Sequence, residues 1–159
     1  MGAAHSLTMI IKCTICNYTQ NSNHNRITPS VNLMSQIMEK NNSIEILLTE
    51  LFKNSYVCVE CNNLLHIDYD LHDYLSLDFE EQDISVELGK IQPLLHHNSK
   101  EFVLGGVIEF EICESGFKKY TALCRSLQGF WSRKEDVKKF ANINEKKFVK
   151  IAIIIYLQN

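Results

Sequence analysis

The feature that most constrains this chain is a pair of Cys-x-x-Cys knuckles, Cys13-Thr14-Ile15-Cys16 and Cys58-Val59-Glu60-Cys61. Two residues between thiols let both sulfurs face one ion from a tight turn. Two such knuckles supply the four soft ligands that a tetrahedral zinc takes. Four of the six cysteines lie in these pairs, which predicts a structural four-thiolate zinc site at Cys13, Cys16, Cys58 and Cys61. The competing readings are two disulfides, or one metal knuckle beside an accidental one. A thioredoxin-like redox pair needs one such motif opening a helix, not two. His66 and His72 follow the second knuckle and are of ligand type, but the four thiols already complete a set.

A chain of 159 residues, 45% hydrophobic and with two prolines, suits one globular domain with room for a small subdomain. At this length a core is feasible but not generous, and a metal helps to hold it. Three segments are expected: a tail over 1–8, a zinc-ribbon finger over 9–70 and an antiparallel sheet over 71–159. The net charge of -3 does not by itself argue for or against nucleic acid. Its distribution is uneven. Residues 54–89 hold nine acidic side chains and no Lys or Arg, whereas residues 117–150 hold ten basic against three acidic. Either the two stretches lie on neighbouring strands and neutralise each other, or each faces a partner.

No secretory signal is visible at the N-terminus. Paired thiols without one suggest metal binding in a reducing, intracellular compartment, cytoplasmic or nuclear. The run Ile151-Ala152-Ile153-Ile154-Ile155-Tyr156-Leu157 is far too short to span a bilayer, so no membrane span is expected. Met1-Gly2-Ala3-Ala4-His5-Ser6 matches the myristoylation pattern, although an arbitrary gene start is favoured. One acyl chain without a basic patch anchors only weakly.

The periodicity is mixed. Residues 17–29 are rich in Asn, Ser and Thr and read as a loop. Ile44, Leu47, Leu48, Leu51 and Phe52 fall on one helical stripe that Ser43 can cap. After Cys61 the pattern turns to strands. Tyr74, Leu75, Leu77 and Phe79 alternate imperfectly, Phe102 to Ile112 forms a long strand with a glycine pair, and Tyr120 to Cys124 and Phe130-Trp131 form short ones. Lys150 to Leu157 closes the chain as a central strand, apolar on both faces. The expected class is α+β, mostly β.

Taken in order, these residues resemble the C-terminal part of the ubiquitin-specific protease family. There, two CxxC knuckles flank a strand and a short helix in a finger subdomain. Here Cys13, Cys16, Cys58 and Cys61 fill that arrangement with 41 residues between the pairs. Ser43 to Cys61 looks like the family's helix and its return to the second knuckle. Phe102-Val103-Leu104-Gly105-Gly106-Val107-Ile108 is similar to the strand ahead of the catalytic histidine. Lys119-Tyr120-Thr121-Ala122 stands where the family has His-Tyr-Thr-Ala, and Trp131 with Glu135-Asp136 stands where it has Trp and an acidic pair. The SUMO-isopeptidase-like relatives share this layout. The resemblance implies part of a papain-like cysteine protease palm joined to a four-cysteine finger, with ubiquitin or a ubiquitin-like protein as partner.

The departures weigh against hydrolysis. The family cleaves an isopeptide bond with a cysteine thiolate, a histidine base and an orienting acid or amide. Its nucleophile lies in a box ahead of the fingers, and no counterpart is found in this chain. That predicts a truncated segment which a missing N-terminal half or self-association completes. The histidine position aligns with Lys119, an ammonium of ordinary pKa about 10 that cannot accept a proton at neutral pH. The orienter position aligns with Glu135. Cys113 and Cys124 have no sequence-adjacent histidine, and free cysteine is commonly a small buried hydrophobe. His96-His97 is expected as a loop pair after Pro93. The predicted function is a catalytically inactive, ubiquitin-binding module, with Asp78, Glu80, Glu81 and Tyr120 as candidate partner contacts. The alternative is an unrelated zinc ribbon binding protein or nucleic acid. Nucleic acid is disfavoured, because near the knuckles only Lys12, Arg26 and Lys53 are basic.

Overall fold

The computed structural model describes residues 5–28, 57–136 and 139–159, the side chains of 134–140 excepted. The helical stripe begun at Ser43 lies outside the described residues. Among those described, the elements are almost all strands. They are β1 (Leu7–Lys12), β2 (Thr19–His24), β3 (His66–Leu71), β4 (Tyr74–Asp78), β5 (Ser85–Glu87), β6 (Leu94–His97), β7 (Lys100–Ile112), β8 (Lys118–Arg125), β9 (Trp131–Asp136), β10 (Lys139–Ile143) and β11 (Phe148–Gln158). Two 3-10 turns, Glu80–Gln82 and Leu88–Lys90, punctuate the middle.

The strands form two antiparallel sheets. The smaller has the order β2-β1-β3, and the larger runs β10-β9-β8-β7-β11-β4, with β5 also on β11 and β6 also on β7. β11 is interior: β7 lies on one side, β4 and β5 on the other. A strand so placed must offer apolar side chains to the layer packed on it, and the isoleucine run does so. Ile151, Ile154 and Tyr156 are fully buried, against Leu75, Leu77, Phe102, Leu104, Val107 and Leu123 in one contiguous core.

The expectation that β11 is covered on both faces fails. Ile153 and Ile155 are half-buried, and Leu157 is 51% exposed. Two register shifts, at Ile151/Ile153 and Ile155/Tyr156, re-aim the strand. Bulges add a residue on one side of a ladder and break strict alternation. The buried residues gather on one face as a result, and the other keeps its isoleucines at the surface.

Residues 17–28 correct a second expectation. Instead of a loop, Thr19–His24 pairs residue for residue with β1, from Lys12↔Thr19 to Leu7↔His24. Its side chains are polar because it is an edge strand. Such a strand needs only backbone partners on one side, and polar side chains protect it from unwanted pairing. His96 and His97 correct a third: they end strand β6, with His96 3.9 Å from Glu101 and His97 buried. As alternate strand residues they face opposite ways.

Ser6 joins the two sheets. Fully buried, its Oγ donates to Tyr74 O and accepts from the Ser76 amide, both at 3.2 Å. Its backbone N–H reaches His24 O at 2.9 Å, and its carbonyl accepts from the His72 amide at 3.1 Å. Leu7 and Leu71 carry the same core from the smaller sheet into the larger.

The glycine pair on β7 has a steric cause. A Cβ on Gly106 would lie 2.3 Å from the Leu123 carbonyl oxygen on β8, a backbone atom that cannot swing away. Gly106→Ala is therefore expected to force β7 and β8 apart and destabilise the fold by about 3 kcal/mol, the upper range for overpacking. A urea midpoint unchanged from wild type would show that the ladder absorbs the methyl.

Candidate metal centre

The two knuckles are built alike. In the first, the Cys13 amide donates to Tyr18 O at 2.8 Å; in the second, the Cys58 amide donates to Asn63 O at 2.8 Å. The residue after each second cysteine, Asn17 and Asn62, has a left-handed backbone with φ of 59° and 57°. Asn tolerates this conformation better than other side chains do, because its short amide bonds locally. The shared pentapeptide Cys-x-x-Cys-Asn was present in the sequence and carries this information. It distinguishes a pair of matched knuckles from one real knuckle and one accident.

β1 runs directly into the first knuckle, and the chain leaves the second toward β3, which pairs with β1. The smaller sheet thus brings the knuckles face to face. Cys13 Sγ lies 3.4 Å from Cys61 Sγ, and Cys16 Sγ lies 3.5 Å from Cys58 Sγ. All four sulfurs fall within 4.8 Å of one another. Zn–S bonds of about 2.3 Å in a tetrahedron need sulfurs about 3.8 Å apart, a value these spacings bracket, so the donor set fits one tetrahedral ion. Each pairing crosses between knuckles, which is not the arrangement of a disulfide within each motif. All six cysteines are free thiols in this structure. His66 and His72 stand apart from the set: His66 Nε2 meets Asp68 at 3.0 Å, and His72 Nε2 meets Thr8 Oγ1 at 2.8 Å.

The four thiols do not ionise alike. The Asn63 side-chain amide, donating to Cys61 Sγ at 3.2 Å, and then the Asn63 backbone amide hold the Cys61 thiol down at about 6. The Tyr18 amide favours the Cys16 thiolate, but desolvation and the neighbouring Cys58, Cys13 and Cys61 sulfurs outweigh it and push Cys16 up to about 12. A cation reverses that repulsion, because each thiolate then faces a positive charge instead of another sulfur. Asn63 was not singled out from sequence. It sits two residues beyond the second knuckle, where a side-chain donor can turn back onto the sulfur.

The remaining candidate residues are dispersed. Asp78, Glu80 and Glu81 come together with Thr28 and Lys118 around a cleft of about 350 Å³. Tyr120 joins them by donating its hydroxyl to Glu80, and Lys118 reaches the same carboxylate at 3.1 Å. The Tyr120 hydrogen bond and then the Lys118 ammonium hold Glu80 below the usual carboxylate range. Here the acidic and basic stretches of the sequence meet, and Lys150 adds a 2.8 Å pair with Asp83. Lys119 is exposed on β8, opposite Glu111. Glu135 falls on β9, and its side chain lies outside the described residues. Cys113, in the β7–β8 turn, and Cys124, on β8, are both exposed, not buried as their type suggests. The expected burial fails because one lies at a hairpin tip and the other on the uncovered face.

No protein-family model matches this sequence, and no curated protein matches it. Solved structures do share the fold. A SAGA DUB module of a Ubp8 variant with Sgf11, Sus1 and Sgf73, bound to monoubiquitin, matches at a TM-score of 0.53 and 16% identity, over 98% of this chain and 40% of that one. The Ubp8-Sgf11-Sgf73-Sus1 SAGA DUB module matches at 0.54 and 13%, over 98% and 39%. The SAGA Ubp8/Sgf11/Sus1/Sgf73 DUB module matches at 0.53 and 12%, over 98% and 38%. The fold is ubiquitin-specific-protease-like. The chain spans about two fifths of the length of those it matches, and at this identity the likeness concerns fold alone. No helix among the described residues is long and apolar enough to cross a membrane.

Because protons compete with the metal for the thiolates, affinity falls as the pH is lowered. Asn63→Ala removes the side-chain donor that does most to lower Cys61 while the backbone amide stays, so its thiol rises part of the way toward the ordinary range. Cobalt(II) titrated into the protein, followed by its thiolate absorption, is expected to be released at a higher pH in the variant than in wild type. Equal release midpoints would show that Asn63 does not tune the site. Loss of the cobalt signal in Cys58→Ser, with wild-type signal in Cys113→Ser, is expected to separate ligand from bystander.

Proposed function

We propose that this chain is the finger-and-sheet portion of a ubiquitin-specific-protease-like domain that binds ubiquitin or a ubiquitin-like protein without hydrolysing it. The observation that carries this reading is the combination of a four-thiol finger with a β11-centred antiparallel sheet, superposable over 98% of the chain on a SAGA DUB module bound to monoubiquitin. The finger over 9–70 and the sheet over 71–159 are its two parts, and the sheet stands for part of a papain-like palm. The metal is zinc in a structural role, since four thiolates leave no open position for a substrate or water. Zinc there holds β1, β3 and the knuckles as one unit. Its binding free energy is folding free energy, roughly 10–16 kcal/mol in zinc-dependent peptides at neutral pH.

Inactivity follows from chemistry at the aligned positions. Lys119 cannot accept the proton of a thiol at neutral pH, and it stands beside Glu111 on an exposed strand rather than beside a cysteine. Partner binding is assigned to Asp78, Glu80, Glu81 and Tyr120. Glu80 is held ionised by Tyr120 and Lys118, so this surface keeps its negative charge at neutral pH. It is complementary to a partner presenting Lys or Arg. An intracellular setting, cytoplasmic or nuclear, fits both the reduced thiols and such a partner. The half-covered isoleucines of β11 suit a further segment or a second copy of the chain. The zinc-ribbon alternative, with nucleic acid as ligand, is weaker. Lys12 lies 3.3 Å from Asp68 and Arg26 3.4 Å from Asp78, so each described Lys or Arg near the finger has an acidic neighbour that offsets its attraction for a polyanion.

The purified chain is expected to leave a fluorogenic ubiquitin or SUMO substrate uncleaved while binding one of the two proteins in a pull-down or calorimetric titration. Turnover that disappears in Cys113→Ala or Cys124→Ala would overturn the inactive reading. Reversal of charge at Asp78, Glu80 and Glu81 to Lys is expected to weaken binding at least tenfold, about 1.4 kcal/mol. Unchanged affinity would move the contact elsewhere.

A further inference from the structure

Among the described residues, Glu109 is the one buried carboxylate, 4% exposed on β7 in the core face of the larger sheet. Two cations close on it. Arg133 Nη2 donates to Oε1 at 2.6 Å, and Lys147 Nζ lies 3.1 Å from Oε2 and 3.4 Å from Oε1. One negative charge between two positive ones leaves an excess of one positive charge. Arg133 and Lys147 are each about a third exposed, so the excess faces solvent on one side.

These two cations line one wall of an open cleft of about 400 Å³, completed by Ala141, Asn142, Ile143 and Asn144. Its polar groups are biased toward donation. Asn144 Oδ1 already accepts from the Lys146 amide at 2.9 Å, which leaves its NH2 as a donor. Arg133 Nε is buried and has no acceptor. A buried donor without a partner costs about 1–3 kcal/mol relative to a satisfied one. The turn that carries Asn144 and Lys147 is also fixed in place. The Gly89 amide binds Glu145 O at 2.7 Å, the Leu88 amide binds Lys147 O at 3.1 Å, and the Lys147 amide binds Asn144 O at 3.0 Å. Donors held before the ligand arrives lose little entropy on binding.

We propose that this cleft binds a compact oxyanion, a carboxylate or a phosphate, held by Arg133 and Lys147 with Asn144 at the rim, and with Glu109 as the group that positions the two cations. Guanidinium and ammonium groups recognise carboxylate and phosphate by charge-assisted hydrogen bonds, stronger than neutral ones. Glu109 has a double effect. It orients both cations, and it offsets part of their charge, so it weakens the hold on any second anion. The site is independent of the proposed partner surface: Glu109 and Phe110 are consecutive strand residues with opposite facing, and it is Phe110 that lies under Lys118 on the Glu80 side.

The test is an amide chemical-shift titration of the full chain with inorganic phosphate and, separately, with acetate, at constant ionic strength set by chloride. Saturable shifts confined to Arg133, Asn142, Asn144 and Lys147 are expected with at least one of them, and the tighter of the two identifies the oxyanion. Glu109→Gln removes the competing carboxylate and is expected to tighten binding several-fold. Asn144→Asp, which touches neither ion pair and keeps the oxygen that accepts from the Lys146 amide, is expected to abolish it and keeps the test readable should Glu109→Gln unfold. Shifts that do not saturate, that fall equally on lysines elsewhere, or that persist unchanged in Asn144→Asp would overturn the proposal.

Discussion

The register of β11 is the constraint on which the larger sheet depends. This strand bonds to β7 along one edge and to β4 and β5 along the other, so one continuous stretch of chain fixes three neighbours. Its buried residues then define the core. Tyr156 is wholly enclosed beside Leu75 and Leu104, and its hydroxyl donates to Gln92 O at 2.8 Å. Burial pushes that phenol well above its usual range, so it stays neutral and a donor. A one-residue slip would exchange the buried isoleucines with the half-exposed ones, and the packing penalty prevents it.

The finger depends on this sheet at one end and on four thiols at the other. At the near end, Ser6, Leu7 and Leu71 tie β1 and β3 to the main core. At the far end the described residues offer little apolar packing: Ile15, Val59 and Leu64 are all exposed. A three-stranded sheet whose tip lacks a core has marginal stability on its own. Among the described residues, converging sulfurs are therefore the main source of order there. The matched Asn17 and Asn62 turns explain why both knuckles present their thiols with the same geometry.

Charge is managed differently on the two faces of the sheet. On the uncovered face, Lys118 and Lys150 stack near the Phe110 ring and pair with Glu80 and Asp83. These pairs are partly solvated, contribute little to stability and leave the surface acidic in character. On the core face, Glu109 is enclosed with Arg133 and Lys147, where an unpaired carboxylate would be strongly destabilising. A buried ion cluster is weak evidence for stability but good evidence that a position is constrained. The sequence shows Glu109 only as a break in an apolar run, Val107-Ile108-Glu109-Phe110.

What the sequence alone determined is whatever rests on spacing and local periodicity. The CxxC spacing limited Cys13, Cys16, Cys58 and Cys61 to a few chemistries, and the apolar runs marked β4, β7, β8 and β11. The acidic and basic stretches were legible as complementary. The tertiary structure alone decided the rest, because those outcomes depend on residues far apart in the chain. β2 is a strand only because β1 offers it backbone partners, and its polar composition carries no trace of that pairing. β11 is covered on one face because bulges against β7 re-aim its side chains, a long-range effect that a run of isoleucines cannot encode. Asn63 bears on Cys61 through a local turn, but the meeting of Glu109 with Arg133 and Lys147 spans 24 and 38 residues of sequence. Such a cluster exists only once β7, β9 and the turn before β11 have packed.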